Sequence, residues 1–158
     1  MHNAAGMSVD PSTFNDVTRS VLAGAIEVHR TLGPGLLEST YLECLEYELA
    51  RSKLRYERQR TMPIVYKGIP LRAHYRIDLI VDERVVVEVK SVTALSPVHW
   101  AQVLTYLRLT GCPAGLLINF NVARVMDGVK RVLNPFPREA PDRTTEASRP
   151  EGSELDPL

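Results

Sequence analysis

Asp78, Glu88 and Lys90 stand within a short stretch of chain and could together hold a metal ion and act on a phosphate ester. They occur in Arg76-Ile77-Asp78-Leu79-Ile80-Val81 and Val85-Val86-Val87-Glu88-Val89-Lys90, separated by the polar Asp82-Glu83-Arg84. Strand side chains alternate faces, so Glu88 and Lys90 share one face while Val85, Val87 and Val89 share the other. With residues 82–84 as the loop, Val81 pairs with Val85 and Asp78 falls opposite Glu88 on the same face. A loop longer or shorter by one residue breaks that match. Two carboxylates facing across a ladder repel each other, and packing alone has no use for them beside a lysine. A divalent cation such as Mg²⁺ does, because it takes hard oxygen ligands, usually carboxylates completed by water and substrate phosphate. Lys90 could then polarise an attacking water and balance charge at the phosphate. The competing reading is a solvated edge hairpin in which Lys90 pairs with Glu88 or Asp78. Asp…Glu-x-Lys alone occurs often by chance.

Two further segments bear on this choice. In Gly35-Leu36-Leu37-Glu38-Ser39-Thr40-Tyr41, Glu38 and Tyr41 share a helical face. Glu38 is equally readable as a charge favoured at a helix start, and Tyr41 as a core residue. In Pro97 to Tyr106, His99, Gln102 and Tyr106 fall on one helical face, leaving Trp100, Leu104 and Leu107 to pack elsewhere. Taken alone, that polar stripe reads equally as helix surface.

The elements that would position these residues follow from hydrophobic period and punctuation. Phe14 to Leu32 carries Val17, Val21, Ile26, Val28 and Leu32 at roughly helical spacing, with Ser12 or Thr13 as cap and Gly33-Pro34-Gly35 as stop. A second helix is predicted from about Leu36 to Ser52, its apolar stripe being Tyr41, Leu42, Leu45 and Leu49. Met62–Tyr66, Tyr75–Val81 and Val85–Ser91 read as strands, with Lys67-Gly68 as a turn. Ser96-Pro97 opens a third helix running to Thr110, closed by Gly111. Ala114–Phe120 reads as a buried strand. Asp127-Gly128 reads as a hairpin turn between strands Val122–Met126 and Val129–Leu133. Three helices mixed with strands give an α/β or α+β fold.

Composition narrows the field. The 158 residues carry 19 Lys+Arg against 19 Asp+Glu and hold two cysteines. That length suits one domain with a real core, and a large multidomain enzyme is not expected. No apolar run is long enough to span a bilayer, and Met1 to Asp10 lacks the pattern of a secretory signal. Cys44 and Cys112 make no disulfide framework, so a cytoplasmic location is expected. Neither they nor the histidines have zinc spacing or a thiol-nucleophile signature, and Gly33-Pro34-Gly35 lacks the spacing of a nucleotide-binding loop. Three segments are expected: a loose 1–13, a folded 14–133, and a Pro-rich acidic tail over 134–158 too poor in apolar residues to order itself. Residues 51–76 hold eight Lys or Arg against Glu57 alone, an excess that suits a polyanion or simply a solvated face.

Taken in order, these segments resemble the PD-(D/E)xK nuclease superfamily, especially its RecB-like branch, and more closely the small GxxExxY family. The marks are Gly35-x-x-Glu38-x-x-Tyr41, Tyr75-Arg76-x-Asp78-Leu79, Val87-Glu88-Val89-Lys90, Gln102-x-x-x-Tyr106-Leu107 and Gly115-Leu116-Leu117-Ile118-Asn119-Phe120. Ile77 stands where the superfamily's name has proline. The resemblance implies a restriction-endonuclease-like α/β core: a central mixed β-sheet with a catalytic antiparallel hairpin, flanked by helices. It implies hydrolysis of phosphodiesters by metal-activated water, with Mg²⁺ or Mn²⁺ as cofactor. Asp78, Glu88, Glu38 and the Val89 carbonyl would hold the metal, and Lys90 would be the catalytic lysine. Gln102 and Tyr106, with Tyr41, His99 and Arg76, would support the site or contact nucleic acid. The implied partner is nucleic acid, DNA rather than RNA, with no membrane; a homodimer or a larger repair or defence complex stays open. No sequence-reading module such as a helix-turn-helix is visible, so cutting without intrinsic sequence specificity is expected. The alternative is a non-catalytic nucleic-acid or protein binding module on the same fold.

Overall fold

The computed structural model describes residues 10–136. The elements run α1 (Ser12–Leu32), α2 (Glu38–Arg51), β1 (Tyr56–Tyr66), β2 (Ile69–Val81), β3 (Val85–Lys90), α3 (Pro97–Thr110), β4 (Ala114–Asn119), a short 3-10 turn (Val125–Gly128) and β5 (Val129–Leu133). The five strands form one mixed sheet in the order β1-β2-β3-β4-β5. Only β3 and β4 are parallel, and α3 makes the crossover between them. Both faces are covered along Val85–Val87 of β3 and along β4, which is why those stretches read as apolar runs broken only at their site ends by Glu88, Lys90 and Asn119.

The helices divide the core into two layers. On one face α1 and α2 bring Val21, Ala25, Tyr41, Leu45 and Leu49 against Leu79, Val81, Val85, Val87, Val89, Leu116 and Ile118. On the other, α3 brings Val103, Tyr106 and Leu107 against Ile77, Ile80, Val86 and Leu117. This is the restriction-endonuclease-like α/β arrangement that the resemblance implies. No helix among the described residues is long and apolar enough to cross a membrane.

Several local expectations are corrected. Helix α1 starts at Ser12, so Ser12 lies inside the helix rather than capping it; Asp10 accepts from the Ser12 amide (2.9 Å) and hydroxyl (2.7 Å). Ile26 and Leu32, assigned to its apolar stripe, are exposed. Helix α2 starts at Glu38, and the carboxylate of Glu46 is buried beside its apolar stripe, 3.3 Å from Arg58. Strands β1 and β2 are far longer than Met62–Tyr66 and Tyr75–Val81, because their outer halves pair with each other as an exposed ribbon without core periodicity. Lys67 and Gly68 close that ribbon with φ of 49° and 78°, the left-handed pair that a two-residue hairpin turn needs. Val122–Met126 is not a strand, and Asp127-Gly128 is not a hairpin turn. That segment coils into the 3-10 turn and delivers β5 to pair antiparallel with β4. The expected 1–13 and 134–158 segments lie mostly outside the described residues. At their borders, Ser12 is already helical and Asn134 is buried, its amide donating to the carbonyls of Leu107 (3.0 Å) and Cys112 (2.9 Å).

Candidate active site

The β2–β3 hairpin has the expected register, with Val81 opposite Val85, Ile80 opposite Val86 and Leu79 opposite Val87. Pairing stops there, one step short of Asp78 and Glu88. Ile77 packs with Ile80 on the α3 side, although strict alternation would put it with Leu79 on the other. The chain therefore loses its alternation at Asp78. Gln59, skipped in the β1–β2 pairing at this level, has a left-handed φ of 49°. The Asp78 carboxylate takes over the ladder's role: its Oδ2 accepts from the Val89 amide at 2.9 Å. The two strands thus part at a fork, with Asp78 on one prong and Glu88 and Lys90 on the other.

Glu88 is 4% exposed, and its Oε2 has no hydrogen-bond partner. Its Oε1 lies 3.4 Å from Lys90 Nζ. Burial, reinforced by the Asp78 charge and only partly offset by Lys90, pushes the Glu88 carboxyl up to about 8. Burial likewise raises Asp78, against the Val89 amide and Lys90, which favour its charged form; the Glu38 charge adds to the rise. Two partly desolvated acids held side by side against one lysine are an arrangement that charge alone disfavours.

Glu38 reaches the fork from the first turn of α2. Its Oε1 accepts from the Ser91 amide at 3.3 Å, and Ser91 Oγ donates to the Leu36 carbonyl at 2.6 Å. The corner after Lys90 is gripped from the other side by Asn119 at the end of β4. Asn119 Oδ1 accepts from the Val92 amide (3.1 Å), and its Nδ2 donates to the Val92 carbonyl (2.9 Å). The Phe120 amide donates to the Lys90 carbonyl at 2.9 Å. Sequence reading missed Ser91 and Asn119 as positioning groups. The available signal was one amide ending a wholly apolar strand, a residue type that burial tolerates only when fully bonded.

From α3, Gln102 Nε2 donates to the Tyr106 hydroxyl (2.8 Å), which in turn donates to the Arg76 carbonyl at 3.3 Å. Burial and the charge of Glu88 push the Tyr106 hydroxyl up to about 12, so it stays protonated as a donor. Tyr75 meets the Tyr106 ring edge-on at 5.9 Å. Arg76 contributes its carbonyl here and is otherwise exposed. Two expected supporters are engaged elsewhere. His99 Nδ1 accepts from the Ser96 amide at 3.1 Å, in the place a glutamate takes in a capping box. Tyr41 is fully buried, stacked on Phe120 at 4.5 Å, and its hydroxyl bridges the Gly33 carbonyl (2.6 Å) and the Leu36 amide (3.1 Å). It shapes the loop that leads into Glu38 and has no exposed surface to offer a ligand.

The donor set can be tested against a divalent cation. Among the described residues no three His, Cys, Asp or Glu side chains already form a metal cage. Asp78 and Glu88 nevertheless fit a hard cation, since they supply adjacent carboxylate oxygens, one of them buried and unpartnered. Such sites fill their remaining positions with main-chain oxygen, water and phosphate. A recess lined by Arg55, Tyr56, Glu57, Ile80, Asp82 and Glu83 lies at the β2–β3 turn, the opposite end of the hairpin from the acids, and shares none of them.

No curated protein and no solved structure matches the chain. Residues 15–132 match the family model described as the PD-(D/E)XK nuclease superfamily. The matched span runs from α1 to β5 and takes in the fork, Lys90 and the Gln102–Tyr106 pair. With this fold and this forked pair of acids beside a lysine, the chain belongs to the PD-(D/E)XK nuclease superfamily.

Proposed function

We propose that this protein is a metal-dependent nuclease that hydrolyses DNA phosphodiesters without intrinsic sequence specificity, of the GxxExxY kind within the RecB-like branch. The observation that carries the reading is the buried, unpartnered Glu88 oxygen held beside Asp78 and Lys90. A structural ion pair needs one acid and one base; a second buried acid raises the energy of the fold unless a cation joins it.

Asp78 and Glu88 would hold Mg²⁺ or Mn²⁺, with the Val89 carbonyl and Glu38 as further oxygen donors. When bound, the cation supplies charge neutralisation at the phosphate and lowers the pKa of a water nucleophile. Lys90, 13% exposed at its side chain and anchored by the Phe120–Lys90 main-chain bond, orients that water and offsets charge developing on the phosphate. Asp78 fixes the prong carrying Lys90 through the Val89 amide. Tyr106 and Gln102 hold the Arg76 main chain and so set the height of Asp78 in the fork. Glu38 holds the Ser91 amide and fixes the far end of β3. The two cysteines are unpaired, which suits a cytoplasmic enzyme.

The test is cleavage of labelled single- and double-stranded DNA and of RNA, with Mg²⁺, Mn²⁺ or EDTA, by the wild type and Lys90→Ala. Metal-dependent cutting of DNA that the variant loses supports the reading. Cutting that survives Lys90→Ala removes the site assignment, and DNA retention without cutting turns the protein into a binding module.

A further inference from the structure

The outer half of the β1–β2 hairpin has no counterpart in the rest of the sheet. Strand β2 pairs with β3 only from Leu79 to Val81, so its residues 69–77 run on beyond the fork with β1 as their one strand neighbour, and only 75–77 still rest on α3. From Ile69 to His74 the ribbon projects about 17 Å at strand rise. Every residue from 65 to 76 is exposed. The ribbon starts at Asp78, so anything held at the fork lies against its root.

Its charge differs from what residues 51–76 suggest in sequence. Arg55, Arg58 and Arg60 are taken up by Asp82 (3.4 Å), Glu46 (3.3 Å) and Glu57 (2.6 Å). Lys67, Arg72 and Arg76 have no ion-pair partner among the described residues, and all three lie on the ribbon. Tyr75 points to the α3 side, where it meets Tyr106, so alternation sets His74 and Arg76 together on the opposite face, while Arg72 lies in the register shift between the Pro63–His74 and Val65–Pro70 pairs. His74 and Arg76 stand about 7 Å apart, Arg72 follows toward the outer end and Lys67 stands at the tip. No acid occurs between Glu57 and Asp78 to neutralise them.

We propose that the ribbon is an arm lying along a DNA duplex, with Lys67, Arg72 and Arg76 against its phosphates. The proposal rests on the nuclease reading for the polymer's identity and its path past Asp78. A twisted two-stranded ribbon fits the wide major groove of B-form DNA and not the deep, narrow one of A-form RNA. The contacts are to backbone charge, so the arm gives affinity and orientation without reading sequence. The opposite, apolar face with Ile69 and Leu71 is what a second copy of the chain would cover instead.

The test compares the full chain with Lys67→Ala/Arg72→Ala and with a charge-matched control, Arg19→Ala/Lys130→Ala, whose bases lie on α1 and β5. Binding of a fluorescent 30-base-pair DNA duplex is measured in EDTA over a salt series. The ribbon variant is expected to bind roughly 10- to 100-fold more weakly near 0.1 M salt, its log K against log salt flatter by about 2. The control is expected to change little. Equal losses in both variants overturn the proposal, as does undiminished binding by the ribbon variant. A ribbon variant that loses self-association in sedimentation but keeps DNA affinity overturns it in favour of a second copy. Binding in EDTA is independent of cleavage, so ribbon-dependent binding without nuclease activity rejects only the nuclease reading, and activity with ribbon-independent binding rejects only the arm.

Discussion

Replacing Glu88 by glutamine should make the metal-free protein more stable, and only at high pH. Glu88 is 4% exposed, and its carboxyl is pushed from an ordinary 4.5 up to about 8, chiefly by burial. The sign follows from proton counting. Between those values the unfolded chain has released the proton and the folded chain still holds it, so stability falls as pH rises from 4.5 to about 8 and levels off above. Each pH unit in that window is worth about 1.36 kcal/mol, which sets a ceiling of roughly 5 kcal/mol. Relaxation and water entering at the strand end reduce it, and about 2–3 kcal/mol is expected at pH 8.5. Glutamine keeps the size and cannot ionise; it also relieves Asp78 of its neighbour's charge. For a domain of this size that is about 6–10 °C in Tm. The assay is thermal unfolding followed by circular dichroism in EDTA at pH 5 and pH 8.5. At pH 5 the two proteins should unfold within a degree or two of each other; at pH 8.5 the variant should lead. Added Mg²⁺ or Mn²⁺ should then raise the wild type's Tm at pH 8.5 and leave Glu88→Gln almost unmoved, since only a site that binds the folded state stabilises it. A difference between the proteins that stays flat across pH, or a metal response kept by the variant, refutes the reasoning.

Tyr41→Phe keeps the ring stacked on Phe120 but leaves the Gly33 carbonyl and Leu36 amide without their shared partner, and should cost about 1–3 kcal/mol in denaturant unfolding. Because Leu36 and Glu38 hold Ser91, the same variant should also loosen the Ser91 amide, read as faster hydrogen exchange there than at Leu116 in the centre of β4. Gly128→Ala should destabilise by about 1–3 kcal/mol, because the added methyl collides with the Asn119 main-chain carbonyl and the turn into β5 must shift. A fully stable Gly128→Ala would mean that this turn is free to move away from Asn119.

The sequence by itself determined what depends on neighbours along the chain. The Gly33-Pro34-Gly35 stop, the Ser96-Pro97 start of α3 and its Gly111 end at φ 75° are local conformational effects, and all appear where the residues put them. The three-residue loop at 82–84 fixed the register of β2 on β3 because strand alternation leaves no other match. That register brought Asp78, Glu88 and Lys90 into view as one group. Tertiary structure decided what local pattern cannot carry. The parting of the strands at Asp78 depends on which layer of core Ile77 joins, and on Gln59 of β1. The hold of Asn119 on Val92 crosses from β4 to the loop after β3, so an apolar run with one amide gave no hint of its partner. The ribbon escaped notice because an exposed pair of strands has no buried face to impose a period. The basic stretch was legible as composition, but only the fold separates the arginines closed by Asp82, Glu46 and Glu57 from the bases left on the arm, since ion pairs form between side chains that packing brings together.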